Sequence, residues 1–216
     1  MAIKKVVCHL AGSHLLDEGD GSYNISYIKK YLPNRKIKLV KLVFRDQGLI
    51  VSPGNPKQIK GIGHLARKDI AMMNRQAGSG TRILLDYSLK GLGINPEAIK
   101  GYENEEFTHM SVAVAVLSKA VDVGLGIHAA AKALKLDFIP VVTEEYDLVI
   151  PEEYFESKNI QILLETINSQ EFKKSVKALG GYHTEKTGEI ISLKEMNIER
   201  IKRRTSNIEH RTSNIE

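Results

Sequence analysis

The sequence predicts an α/β protein of two lobes joined by two crossover strands. Three observations predict it. Short strand-like apolar runs alternate with helical patterns along most of the chain, an order that argues for parallel α/β sheets. Two long apolar extended segments, at about 38–51 and 137–150, are spaced as a pair linking two lobes. Between them lies NRQAGSGTR, residues 74–82, which places Gly78, Ser79, Gly80 and Thr81 between Arg75 and Arg82, just ahead of a helical run.

The elements follow in order. KKVVCHLAGSH reads as a short strand, Val6 to Leu10, opening into the Gly-rich loop LLDEGDGSYN. SYIKKYL is a short helix stopped by Pro33. IKLVKLVFRDQGLIVSP carries apolar residues on both parities and reads as one long strand or two consecutive ones, partly buried on both faces. SPGNP is a turn, IKGIGHLAR a short helix around His64 and Leu65, and DIAMMN a strand. Thr81 to about Lys90 is a helix with Gly91 and Gly93 as stop signals. Thr108 can cap the helix HMSVAVAVLSKA. VDVGLGI is a strand and turn, HAAAKALKL a helix, and DFIPVVTEEYDLVIP two strands broken at Thr143 to Glu145. Two amphipathic helices follow, NIQILLETINS and SQEFKKSVKAL, ended by Gly180 and Gly181. RTSNIE then occurs in two identical copies, at 204–209 and 211–216, and reads as a disordered, solvated tail.

Composition narrows the class. With 216 residues the chain can bury a core without a staple, and its single cysteine, Cys8, rules out an internal disulfide. No apolar run approaches a membrane span, and the N-terminus lacks the pattern of a secretory signal, so the expectation is a cytoplasmic protein that engages no membrane. The formal net charge of +5 is spread out, with no dense basic stripe, so nucleic acid is not an expected partner. Seven histidines show no HxxxH or CxxC spacing, so neither a metal nor another cofactor is expected. Ser13, His14 and Asp17 could be drawn as a triad, but no GxSxG elbow supports them, and the expectation is no enzyme.

The glycine and hydroxyl motif suits a compact anion. A helix start leaves backbone N–H groups unpaired and carries partial positive charge. Glycines let a ligand approach the backbone, Ser79 and Thr81 add hydroxyls, and the arginines add forked donors. The plainer reading is an N-cap with Arg75 in solvent. It is not a Walker A loop, because no lysine follows the last glycine. His109, in the first turn after Thr108, can face the same cleft. A competing motif, GLGIHA, sets Gly124, Gly126 and Ala129 between a strand and a helix, and fits a dinucleotide fingerprint with Glu144 and Glu145 about twenty residues on. That reading would make the chain an NAD(P)-dependent oxidoreductase.

Several of these stretches together resemble a known family. NRQAGSGTRILLDYSL, GYENEEFTHMSVAVAV, VDVGLGIHAAAKALKLDFIPVVTEEYDLVIP and ALGGYHTEKTGEII, with AGSHLLDEGDGSYNISYIKKYLP and QGLIVSPGNPK, are similar to the periplasmic-binding-protein-like domain attached to molybdopterin biosynthesis proteins and molybdate-responsive regulators. The resemblance covers roughly residues 6–192. It implies a type II solute-binding fold, with residues 1–43 and 138–192 as lobe one, 44–137 as lobe two, and 193–216 as tail. It implies ligand contacts from Arg75, Ser79, Gly80 and Thr81 of lobe two and from Ser13 and His14 of lobe one. Tyr146 would join from the hinge side, with Gly12, Arg82 and His109 as further candidates. The implied ligand is molybdate, tungstate or a molybdenum-cofactor precursor, bound without chemistry for sensing or delivery. Relative to the family, lobe one lacks its N-terminal portion. That leaves two further expectations: a homo-oligomer that completes lobe one, or a protein-interaction module built on exposed strand edges.

Overall fold

The computed structural model describes residues 3, 7–17 and 19–192. The repeated tail lies outside the described residues. The elements run β1 (Ala11–Ser13), α1 (Ile25–Tyr31), β2 (Ile37–Val51), a 3-10 turn (Ile62–Ala66), β3 (Met72–Arg75), α2 (Gly80–Gly91) and β4 (Glu105–Glu106). They continue with α3 (His109–Leu117), β5 (Val123–Ile127), α4 (His128–Ala133), β6 (Asp137–Pro151), α5 (Glu152–Phe155), α6 (Lys158–Asn168), α7 (Gln170–Leu179), β7 (Tyr182–His183) and β8 (Ile190–Ser192).

Two fifteen-residue strands organise the sheet. β2 and β6 pair antiparallel from Ile37↔Pro151 to Val51↔Asp137. Chain passing out along one and back along the other requires opposite directions. The other side of β2 is shared in turn by β8, β7 and β5. β5, β3 and β4 are parallel to one another, so the sheet is mixed rather than parallel as the alternation suggested. β1 adds to the free edge of β6, with Ala11↔Val149 and Ser13↔Asp147.

Two other expectations are corrected. Among the described residues the first strand is Ala11–Ser13, which pairs with β6, and residues 7–10 of the expected strand lie outside it; Val6 is not among the described residues. The break expected at Thr143–Glu145 is absent: β6 runs through it, and shifts in register at Lys41/Val43 and Gln47/Gly48 absorb the irregularity. The polar residues stay in the strand because each meets a polar partner on β2. Thr143 Oγ1 donates to Asp46 at 2.7 Å, Glu144 pairs with Arg45, and Glu145 pairs with Lys41.

The core is divided by this ladder. Leu49, Val51, Met72, Leu84, Leu85, Leu89, Val123 and Leu125 pack β2, β3 and β5 against α2. Each such aliphatic side chain contributes about 1.5–3 kcal/mol when fully buried. Ile50, Ala113, Val116, Ala130 and Ala131 pack the opposite face against α3 and α4. At the far end of β2 and β6, α1 covers one face through Ile25 and Ile28, and α5 and α6 cover the other through Phe155, Ile160 and Leu164. Adjacent residues on β2 or β6 therefore point to opposite layers, and this sets which side chains reach the cleft.

Candidate functional site

The site forms where β1, the middle of β2 and β6, and the start of α2 converge. Ser79 is the N-cap of α2, and its Oγ accepts from Arg82 N at 3.2 Å. The Gly80 and Thr81 amides, first in the helix, have no acceptor among the described residues. Arg75, the last residue of β3, is 8% exposed, which excludes the solvated role considered from sequence. Its Nη2 donates to Phe107 O at 2.9 Å and its Nε to Glu106 O at 3.2 Å and Gln76 Oε1 at 3.1 Å. Among the described residues it makes no ion pair. Burial, then the neighbouring Arg45, push its pKa down from the ordinary arginine value. The guanidinium thus has no counter-ion among the described residues, and the chain that carries it leads directly into the unpaired amides of α2; both features attract negative charge.

β1 and β6 bring further side chains to this corner. The His14 ring stacks on Tyr146 with centroids 5.0 Å apart, and Arg45 lies over the Tyr146 ring at 5.0 Å. Tyr146 also fills the space in front of Gly12, where a Cβ would lie 2.8 Å from the ring. Glu144, 1% exposed, accepts from Arg45 Nε and from Gln47 Nε2. His14 Nδ1 lies 3.5 Å from Glu144 Oε2 and has no hydrogen-bond partner. Burial pushes the Glu144 carboxyl up, but His14 and Arg45 outweigh it and hold its pKa below the usual value. His109 is held at about 3 by burial and by the charges of Arg75 and Arg45, so its ring is neutral at physiological pH. Tyr23 is raised to about 12, chiefly by burial and then by Glu144.

The sequence-derived candidates fall into three groups. Arg75, Gly80, Thr81, His14, Tyr146 and His109 gather around the corner just described, with Ser79 as its cap. Gly12 belongs to it as the seat of the Tyr146 ring. Ser13 faces the other layer with its register partner Asp147: its hydroxyl donates to Asn24 Oδ1 at 2.8 Å, and Asn24 is oriented by the Leu15 amide and by Asp147. Ser13 therefore offers lone pairs rather than a proton. Arg82 is corrected out. Its guanidinium is held by Glu105 at 3.1 Å and Asp86 at 3.4 Å, and lies 3.9 Å from the centroid of the Tyr102 ring.

The dinucleotide fingerprint is also corrected. Gly124 and Gly126 lie within β5 rather than in a turn after it. A Cβ on Gly124 would overlap Val112 of α3, and one on Gly126 would come within 2.8 Å of Ile50. These glycines make room for core side chains, not for a pyrophosphate. Sequence reasoning missed Arg45 and Gln47, and gave Glu144 only a place in the dinucleotide fingerprint. The signal was present: RDQ interrupts an apolar strand, and TEE does the same in its partner.

Comparison with known proteins then settles the family. A model of the PBP superfamily domain matches residues 1–168. The chain belongs to the PBP superfamily. Among curated relatives, the uncharacterized protein YvgK of Bacillus subtilis is 40% identical over 187 residues, and the match covers 85% of this chain and 59% of that protein. This chain thus spans a little under two thirds of that relative. An uncharacterized Clostridium pasteurianum protein, from the 5′ region of a ferredoxin 2Fe-2S gene, is 39% identical over 111 residues, covering 51% of this chain and 98% of that protein.

Solved structures agree on the fold. A Clostridium perfringens substrate-binding protein with bound phosphate superposes with TM-score 0.57 at 15% identity, over 84% of this chain and 81% of its own. An ABC-type phosphate transport receptor from Vibrio cholerae gives 0.51 at 15% identity, over 84% and 82%. The fold is therefore the type II solute-binding fold expected from the resemblance.

Proposed function

We propose that this PBP-superfamily chain binds a small anion in the cleft between its lobes and does no chemistry on it. The observation that carries this reading is Arg75: a buried guanidinium without a carboxylate partner among the described residues, in the chain just ahead of the unpaired Gly80 and Thr81 amides at the start of α2. Leaving a charge so placed is costly unless an anion completes it. The sequence resemblance favours molybdate or tungstate, or a molybdenum-cofactor precursor, in a cytoplasmic sensing or delivery role. The phosphate bound in the C. perfringens protein supports the same class of ligand.

The reading is tested by thermal shift with molybdate, tungstate, sulfate and phosphate, on the wild type and on Arg75→Ala. Selective binding to the folded form raises the melting temperature. At least one ion is expected to stabilise the wild type and to lose that effect in the variant. No stabilisation by any of the four overturns the proposal.

A further inference from the structure

α3 is composed like a helix buried on every side. HMSVAVAVL carries no Asp, Glu, Lys or Arg, and its apolar residues are not confined to one stripe. A helix that is hydrophobic all round belongs in a core, whereas a surface helix presents a polar outer face. Yet α3 covers the sheet with one face only. Val112, Ala113 and Val116 are fully buried, while Met110, Val114 and Leu117 are 43%, 48% and 48% exposed. The spacing of these last three sets them on one side of the helix. Phe107, 73% exposed, lies just ahead of the cap Thr108. Together they form an exposed apolar patch on the order of a few hundred Å², the size at which a surface patch marks an interaction site.

The charges around the patch select its occupant. Ahead of the N-terminus of α3 stand Glu103 and Glu106, and just past its C-terminus stands the exposed Lys119. Glu105 is already held by Arg82. A second helix of the same sequence, laid antiparallel, brings its basic end to the acidic end of the first, and the reverse holds at the other end. The two helix dipoles also run in opposite senses. With a twofold axis at Val114, Met110 sits beside the partner's Leu117, so one patch serves both copies, as an isologous contact requires. A parallel arrangement would set Glu103 and Glu106 against their own copies.

We propose that the outer face of α3 is the contact surface between two copies of this chain, paired antiparallel about Val114. The pairing is separate from the anion-binding reading and requires no ligand. A patch of this size falls short of the roughly 800 Å² per partner of a standard interface, so the dimer is weak and forms reversibly as concentration rises. The second copy supplies the apolar layer that the composition of α3 matches.

The test is sedimentation equilibrium of the full chain, without added anion, from micromolar to millimolar concentration. The wild type should pass from monomer toward dimer mass across that range. Val114→Glu sets like charges face to face at the axis and should abolish the shift, with a urea midpoint close to wild type because position 114 is half-exposed. Lys119→Glu should weaken the dimer several-fold, and adding Glu103→Lys and Glu106→Lys should restore it, a rescue that requires antiparallel pairing. Val114→Cys on a Cys8→Ser background should be captured as a disulfide-linked dimer by diamide, whereas Tyr87→Cys, also exposed but on α2, should not. The cross-link reads the contact even if Val114→Glu fails to fold. A wild type that stays monomeric throughout, a dimer indifferent to Val114→Glu, a triple charge variant no tighter than Lys119→Glu, or no cross-link at position 114 would each overturn the proposal.

Discussion

Gly80 and His14, far apart in sequence, are in direct contact: a Cβ built on Gly80 would lie 2.7 Å from both Cε1 and Nδ1 of the His14 ring. Real Cβ atoms do not come that close, so any side chain at position 80 must move the ring. Gly80→Ala is helix-compatible, and His14 is partly exposed and free to turn, so the fold should tolerate the change. The moved ring, however, leaves its stack on Tyr146 and its place beside Glu144. We expect anion affinity to fall about tenfold, equivalent to about 1.4 kcal/mol, with a change in unfolding free energy below about 1 kcal/mol. Calorimetry beside a urea melt checks both, and unchanged affinity would show that the contact is incidental.

Arg75 supports a second prediction. Removing it takes away a charge-assisted donor, worth about 1.5–3 kcal/mol of binding. In the ligand-free protein two effects oppose: the Phe107 carbonyl loses its side-chain donor and the Glu106 carbonyl keeps only Gln76 N, but an uncompensated charge also leaves. Arg75→Ala should therefore depress the melting temperature more in saturating anion than without it. Arg75→Lys keeps the charge but not the fork that reaches those carbonyls, and should fall between. Equal losses with and without anion would make Arg75 a structural residue only.

The same residues show how far sequence reading reaches. The start of α2 was legible because its chemistry is local: Ser79 caps, the glycines open the backbone, and the helix follows at once. The capping of α3 by Thr108 was legible for the same reason. What the sequence hid depends on pairing between distant strands. Arg45 and Glu144 look like breaks in apolar segments until β2 and β6 are aligned, when they face each other across one rung. The polarity of Ser13 depends on Asn24 and Asp147, which are far apart in sequence. Glycine spacing misled at β5, where Gly124 and Gly126 answer to Val112 and Ile50 rather than to a ligand.

That rung supports a third prediction. Glu144→Gln leaves Arg45 without its counter-ion in a buried setting, a loss of about 3–5 kcal/mol when one partner of a buried pair is removed. The pH dependence follows from the lowered pKa of Glu144. A carboxyl whose folded value is depressed adds stability above its unfolded value, near 4.3, and loses it as pH falls through the folded value. The wild type should therefore lose stability in acid more steeply than Glu144→Gln, as measured by urea midpoints from neutral pH downward. Parallel curves would mean that Glu144 is not ionised in the folded state.

His109 gives the last prediction, and its sign runs through the unfolded state. In the folded protein the ring is held at about 3, first by burial and then by Arg75 and Arg45. Unfolded, it returns to about 6.5. Between those values the unfolded chain binds a proton that the folded chain does not, so stability rises with pH across that window and is lost as pH falls from about 6.5 toward 3. Replacing the ring by a neutral amide of similar reach, His109→Gln, removes the window. The variant should be less acid-sensitive than the wild type between pH 6.5 and 4.5, where Glu144 still contributes fully. A bound anion would relieve the repulsion from Arg75 and Arg45, so saturating molybdate should flatten the wild-type profile toward that of the variant. If His109→Gln leaves the acid slope unchanged, His109 does not sit in the field of the two arginines, and the corner is more open to water than its packing indicates.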